Sequence, residues 1–232
     1  MEQSVEIKEN ERVDDLLVNG LKIIQNPFAF CFGCDAVELA NFVTGGCKDK
    51  AVDLGSGTGI ITLLLAGKKN IRCTGVEIQS DMADMSRRSI ALNGLTNADI
   101  INAPMQRITE HIPPGSTTIV VCNPPYRKVG TGERQGSDSV ALARHEIAVT
   151  LKEVVQTAKS LLSTGGSFYI IHQSQRLAEV MYECKSVGLE PKILQVLAPQ
   201  NNKPPHLFML KCTYGGAEGM TVLPQRIVNT IV

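Results

Sequence analysis

Net charge is what this chain lacks first: 23 lysines and arginines balance 23 aspartates and glutamates over 232 residues. A binder that works by bulk positive potential is thereby excluded, and any RNA-binding face must come from local clustering of basic residues. No apolar run approaches the roughly 20 residues needed to cross a bilayer. The stretch Met1 to Asp15 is acidic and polar, not basic and then apolar, so it does not read as an export signal. A disulfide framework is missing too. The seven cysteines, Cys31, Cys34, Cys47, Cys73, Cys122, Cys184 and Cys212, are odd in number and scattered, which reads as reduced thiols in a cytoplasmic protein. Cys31 and Cys34 have metal-ligand spacing, but no second Cys or His pair accompanies them. Two packed thiols are therefore expected there, and no metal. Internal repeats and low-complexity tracts are absent as well. What remains is a soluble intracellular chain, 43% hydrophobic, large enough for one main core.

The order of segments gives the fold class. The first dozen residues are charged and expected to be loose, and Leu21 to Phe30 reads as a short hairpin turning at Asn26-Pro27. Ala36, Leu39, Ala40 and Val43 share one face of a helix from Asp35 to Val43 that stops at Thr44-Gly45-Gly46. From Lys50 onward strands and helices alternate. Strands are expected at Ala51 to Leu54, Cys73 to Val76, Ile100 to Asn102, Thr118 to Cys122, Ser167 to Ile171, Lys192 to Leu197 and Leu207 to Cys212. Helices are expected from Gly59, over Ser80 to Asn93, over Ile147 to Leu162 with Gly165-Gly166 as its stop, and over Gln175 to Val187. Such alternation means an α/β protein whose mostly parallel sheet is covered on both faces. Arg87 and Arg88, on a helix that packs through Met82, Met85 and Ile90, are expected to face solvent. Gly215 to Val232 yields no reading.

Two loops carry chemistry. The first is Asp53-Leu54-Gly55-Ser56-Gly57-Thr58-Gly59, in which the three glycines let the backbone leave a strand tightly and approach a ligand closely. Glu77 ends the second strand at the separation expected of a carboxylate that chelates ribose hydroxyls. On these residues alone a nucleoside cofactor is indicated and a dinucleotide such as NAD stays open. Candidate cofactor-binding residues are Asp53, Gly55, Ser56, Gly57, Thr58, Gly59, Glu77 and Ile78, with Met105 and Asn123.

The second loop is Asn123-Pro124-Pro125-Tyr126, directly behind the apolar run Thr117 to Cys122. Consecutive prolines fix their own φ and hold the preceding residue extended, so the polar groups at this strand end cannot easily turn away. A conjugated amino nitrogen is a poor nucleophile because its lone pair is delocalised. If the Asn123 side-chain oxygen and the Pro124 carbonyl each accept one N–H, that nitrogen is positioned and its developing positive charge stabilised, with no strong base needed. The Tyr126 ring then offers a stacking surface, typically about 1–3 kcal/mol for a base on an aromatic ring. Asn123, Pro124, Pro125 and Tyr126 are the candidate catalytic residues. Paired with the glycine loop, they point to methyl transfer from S-adenosylmethionine to an exocyclic or amide nitrogen.

The chain resembles the bacterial tRNA (adenine-N6)-methyltransferase family. The likeness runs through most of it: Asp14-Asp15-Leu16-Leu17 with Gly20 to Gln25, Phe30-Cys31-Phe32 with Asp35-Ala36-Val37, the glycine loop, Gly75 to Gln79, Asn-Pro-Pro-Tyr, and Ala143-Arg144-His145-Glu146. The resemblance implies a Rossmann-like class I methyltransferase, a seven-stranded, mostly parallel sheet with its last strand antiparallel, helices on both faces and a small N-terminal β-hairpin. It implies S-adenosylmethionine contacts at Asp53, Gly55 and Gly57, its ribose at Glu77, and the target amine at Asn123, Pro124 and Tyr126. Residues 1–46 would form the N-terminal extension and 47–232 the methyltransferase domain.

One departure stands out. Relatives commonly carry an acid at the end of the third strand for the cofactor's adenine, where this chain has Asn102-Ala103-Pro104-Met105, with Pro104 in that place. A neighbouring backbone amide or Asn102 is left for that role, at a cost of about 0.5–1.5 kcal/mol for one lost hydrogen bond. The loop Arg127 to Glu146, with Arg127, Lys128, Arg134 and Arg144 among glycines, fits a segment that closes over a polyanion. Those four and Lys203, with His206 nearby, are the candidate substrate contacts. The expected partner is RNA, specifically tRNA, with no membrane and at most a weak homodimer. Rival readings are a protein glutamine-N5 methyltransferase, a ribosomal RNA guanine-N2 methyltransferase and a non-catalytic RNA-binding relative. The first is disfavoured by the roughly fifty residues ahead of the first sheet strand, too few for a separate helical domain.

Overall fold

The computed structural model describes residues 5–28, 31–126, 149–200 and 203–228. A two-stranded antiparallel hairpin, β1 (Arg12–Asp15) and β2 (Lys22–Gln25), comes first. The expected first strand, Leu21 to Ile24, is its second strand, paired with Arg12–Asp15 ahead of it, and of the expected second strand Ala29 and Phe30 lie outside the described residues. The turn is made at Leu17 to Gly20, where Leu17, Asn19 and Gly20 all have positive φ, a backbone path that a search for proline turns does not find. Asn26-Pro27 instead leads out of β2 towards helix α1 (Cys34–Phe42).

The main sheet follows the expected alternation. β3 (Lys50–Leu54), α2 (Ile60–Lys69), β4 (Arg72–Glu77), α3 (Ser80–Leu92), β5 (Ala98–Asn102) and β6 (Thr117–Cys122) lead to α4 (Leu151–Leu161), β7 (Leu162–Gln173), α5 (Leu177–Ser186), β8 (Leu189–Ala198) and β9 (Leu207–Tyr214). Across the sheet the order is β5-β4-β3-β6-β7-β9-β8, with β9 antiparallel to both neighbours and the other pairs of that series parallel. These are the seven strands expected. Two short additions, β10 (Thr221–Val222) and β11 (Arg226–Ile227), pair in parallel with β8 and cover its outer edge, where an unpaired strand would invite association.

Local chemistry sets the boundaries. The expected start of the next helix at Ile147 lies outside the described residues; α4 starts at Leu151, where Thr150 and Glu153 form a capping box that satisfies two free backbone N–H groups. It ends at Leu161, ahead of the glycine pair. Gly165 and Gly166 lie inside β7, Gly165 at φ 83°, beside a register shift in the pairing with β6. A glycine pair therefore marks an irregularity in a strand here and not a helix stop.

Both faces of the sheet are apolar and covered. One packs Leu39 of α1, Leu63 and Leu65 of α2 and Ala83 and Ile90 of α3 over β3, β4 and β6, with Leu21 and Ile23 of the hairpin region in the same cluster. The other packs Val154, Val155 and Leu161 of α4 and Val180 and Cys184 of α5 over Val120, Phe168, Phe208 and Leu210. Of the segment expected to be loose, Lys8 and Glu11 are tied to α3. Lys8 bonds Asp84 at 2.7 Å, and Glu11 takes both guanidinium arms of Arg88 at 2.6 Å. Arg88 thus does not face solvent; its side chain is 13% exposed. Arg87 does face solvent, while its guanidinium donates to the Ile100 carbonyl. The burial of Arg88 is not legible from its own helix because Glu11 lies 77 residues away. The seven cysteines are free thiols, and no cluster of His, Cys, Asp and Glu among the described residues could hold a metal. Among those residues no helix is long and apolar enough to cross a membrane.

Candidate active site

β3 is the strand at which the chain reverses direction across the sheet: β4 lies on one side and β6 on the other. Open α/β sheets bind ligands at the C-terminal ends of strands around such a point. The glycine loop leaves β3 there and the Asn-Pro-Pro-Tyr turn leaves β6 there, side by side.

Gly55, Gly57 and Gly59 have φ of 74°, 55° and 86°, a left-handed region that costs other residues about 1–2 kcal/mol each. At Gly59 space forbids a side chain as well: a Cβ would stand 2.0 Å from Ser86 Oγ, so α3 packs directly on the loop. Glu77 is buried at the end of β4 and braces the loop from the side. Its Oε2 accepts from Gly57 N at 2.8 Å and its Oε1 from Gln79 N at 2.9 Å. Asp53, 1% exposed, accepts from Thr62 Oγ1 at 2.9 Å. Burial pushes its carboxyl up to about 7, against the Thr62 hydrogen bonds and with help from the Glu77 charge. Asp53 Oδ1 and Ser56 Oγ are buried with no protein partner, a condition that native proteins leave for a ligand or water to relieve. A Cβ on Gly57 would meet nothing within 4 Å, and one on Gly55 would meet only Met105 Cε at 3.7 Å. An open glycine cradle with orphaned polar atoms at its base and a carboxylate at its side fits the nucleoside cofactor that the sequence implied.

Thr58 is buried in the same loop, while Ile78 is 40% exposed just past Glu77. Asn102 donates both amide hydrogens to the carbonyls of Glu77 and Ile78, at 2.8 and 3.0 Å. It therefore has only its Oδ1 left for another group. Pro104 precedes the 3-10 turn Met105–Glu110, which brings Met105 to the loop.

At the end of β6, Asn123, Pro124 and Tyr126 are half-buried and Pro125 is exposed. They meet a residue that the sequence reading quoted but gave no role, Asp35 in the first turn of α1. Tyr126 OH lies 2.6 Å from Asp35 Oδ2 and 2.8 Å from Asn123 Oδ1, and Asn123 Nδ2 donates to Asp35 Oδ2 at 3.2 Å. α1 reaches this point because its other end is fixed: Thr44 bonds the Tyr169 hydroxyl of β7 through its Oγ1 at 2.8 Å, and Phe42 packs edge-on against the Tyr169 ring. His172, buried at the end of β7, lies against the Tyr126 ring at 5.4 Å between centroids. Its imidazole is pushed down to about 4 by burial and by the Arg176 guanidinium, so it is uncharged at neutral pH. Asp35, His172 and Arg176 stand beside the Asn-Pro-Pro-Tyr turn and were not among the candidate residues read from the sequence. The only sequence signal for Asp35 was its place in the Asp35-Ala36-Val37 run.

Of the candidate substrate contacts, Arg127, Lys128, Arg134 and Arg144 lie outside the described residues, as does the loop that contains them. Lys203 and His206 are exposed between β8 and β9.

Residues 37–187 match the model of the family described as "Methyltransferase small domain". A protein of Shewanella woodyi named tRNA1(Val) (adenine(37)-N6)-methyltransferase is 26% identical over 184 residues, 76% of this chain and 74% of its own length. Among solved structures, a predicted O-methyltransferase from Agrobacterium tumefaciens superposes with a TM-score of 0.66 at 20% identity, covering 83% of this chain and 86% of that one. TYW2 of M. jannaschii, solved in complex with AdoMet, gives 0.60 at 14% identity over 89% and 88%. These structural likenesses speak to the fold, a class I methyltransferase sheet, and the matched span of 151 residues, well over half the chain, speaks to descent: the chain belongs to the methyltransferase small domain family.

Proposed function

We propose that this S-adenosylmethionine-dependent methyltransferase acts on the exocyclic N6 amino group of adenine in tRNA. The observation that carries the reading is Asn123 at the end of β6, next to the glycine loop, with its amide nitrogen donating to Asp35 and its oxygen accepting from the Tyr126 hydroxyl. When bound, S-adenosylmethionine supplies an electrophilic methyl group on a sulfonium. Asp53, Gly55, Ser56, Gly57, Thr58 and Gly59 would hold it, with Glu77 on its ribose and Ile78 and Met105 at its rim.

The chain's own residues then handle the acceptor. Asn123 Oδ1 accepts one N–H of the amine and the Pro124 carbonyl accepts the other, which steers the nitrogen towards a tetrahedral shape and stabilises its growing positive charge. Tyr126 stacks on the base. His172, uncharged behind the ring, packs without adding a cation beside that charge. Arg127, Lys128, Arg134, Arg144 and Lys203 would contact RNA phosphates. The name of the Shewanella woodyi relative supports tRNA and adenine as the substrate.

The test is transfer of label from S-adenosylmethionine into total bacterial tRNA, followed by nucleoside analysis. N6-methyladenosine is the expected product. Label found only in ribosomal RNA guanine or in a protein glutamine would replace this substrate with the corresponding rival. Failure to bind S-adenosylmethionine would leave a non-catalytic RNA-binding protein.

A further inference from the structure

We propose that Asp35 is a positioning residue for the reaction: its carboxylate fixes which way round the Asn123 amide sits, so that the oxygen and not the nitrogen faces the acceptor. The inference rests on the reading in which Asn123 receives the target amine.

An asparagine amide is nearly symmetric in shape, and its two orientations differ only in what they bond. At Asn123 the wrong orientation would present two donors to an amine that is itself a donor, and acceptance would fail. Asp35 Oδ2 accepts only, so its contact with Asn123 at 3.2 Å selects Nδ2 on that side. Tyr126 completes the selection. Its hydroxyl has one hydrogen for two contacts, Asp35 Oδ2 at 2.6 Å and Asn123 Oδ1 at 2.8 Å. Donation to an ionised carboxylate is shorter and stronger, and the distances follow that order. The hydrogen is shared between the two acceptors and lies nearer Asp35; an N–H in the place of Asn123 Oδ1 could not accept it, and the shared bond occupies only one lone pair of Oδ1, leaving the other for an incoming N–H.

The carboxylate is itself held. Its Oδ1 accepts from Ala36 N at 2.9 Å in the first turn of α1, where negative charge is favoured. Gly33 leaves room for it: a Cβ there would stand 2.6 Å from Asp35 Oδ1. A segment 88 residues before Asn123 thus determines which atoms the acceptor meets.

The near-isosteric Asp35→Asn removes the selection, since an amide can offer either an oxygen or an N–H to Asn123. We expect kcat to fall about ten- to hundredfold, as for loss of a charged hydrogen-bond partner, with the KM for tRNA and the affinity for S-adenosylmethionine unchanged. Asp35→Glu should recover part of the rate. Tyr126→Phe, which leaves the Asp35–Asn123 bond in place, should lose less than Asp35→Asn. A second readout needs no substrate. The side-chain ¹⁵N–¹H pair that disappears in Asn123→Ala should show one strongly bonded hydrogen in the wild type and lose that asymmetry in Asp35→Asn. Unchanged kcat in Asp35→Asn, a loss confined to cofactor affinity, or an Asn123 amide signal indifferent to the substitution would each overturn the proposal. If the wild type does not methylate tRNA, the substrate reading fails while the amide signal still decides the role of Asp35.

Discussion

The glycine loop after β3 and the Asn123–Tyr126 turn after β6 leave neighbouring strands, but backbone holds the first and side chains hold the second. At the cofactor end, three positive φ angles, Glu77 bonded to two backbone N–H groups and a helix packed directly on Gly59 fix the shape. Every part comes from one β-α-β-α stretch, Asp53 to Ser86. At the acceptor end, Asn123, Tyr126, Asp35, His172 and Arg176 come from three separate parts of the chain and meet only through tips of side chains. The first design is insensitive to side-chain chemistry except at its carboxylates. The second depends on which atom each side chain presents.

The largest test of that contrast pairs one residue from each end. Asn123→Ala should lower the rate of methyl transfer by about 10²–10³-fold, as for removal of a preorganised transition-state partner, while leaving S-adenosylmethionine affinity intact. Glu77→Ala should do the reverse, weakening the cofactor about ten- to hundredfold through loss of charged hydrogen bonds. Calorimetry and single-turnover kinetics separate the two, and a variant that lowers both would mean the ends are not independent.

Gly59→Ala breaks the backbone end itself. Positive φ and the clash with Ser86 together should cost about 3 kcal/mol, read as a lower denaturation midpoint along with weaker cofactor binding. Stability that holds would show that α3 can withdraw from the loop.

Titration gives the two ends opposite signs in the cofactor-free protein. Asp53 titrates near 7 in the fold against 3.8 unfolded, so its contribution is intact below about pH 4 and is lost as pH rises towards 7. His172 titrates near 4 against 6.5, so its contribution is present above 6.5 and is lost as pH falls towards 4. The two oppose each other across that window, on the order of 4 kcal/mol for Asp53 and 3 kcal/mol for His172. Denaturation at several pH values should show stability rising with pH in Asp53→Asn and falling in His172→Gln; the same slope in both would refute the assignment.

The smallest effect belongs to Tyr126→Phe. It keeps the ring and loses the bond to Asp35, and should slow transfer about threefold, in line with one hydrogen bond. A hundredfold loss would make the hydroxyl a catalytic group.

The same contrast explains what could be read in advance. Strands β3 to β9 and helices α1 to α5 were legible in the alternation and periodicity of apolar segments, and the glycine loop with Glu77 in spacing within a single unit. The N-terminal hairpin was displaced because its turn uses Leu17 and Asn19 at positive φ, which composition does not flag. Gly165-Gly166 reads as a helix stop until the pairing of β7 with β6 shows an irregular strand. The partnership of Arg88 with Glu11 and that of Asp35 with Asn123 depend on contacts across 77 and 88 residues.

By itself, then, the sequence determined the alternation of elements, the parallel sheet, the glycine loop and the rigid Asn-Pro-Pro-Tyr turn, because each follows from residues near one another along the chain. Only the tertiary structure decided that the N-terminal segment clips onto α3, that β10 and β11 cover the edge of β8, and that Asp35 meets Asn123 and Tyr126. Those outcomes are set by which surfaces the packed sheet brings together, and no local pattern of residues encodes a distance between segments that far apart.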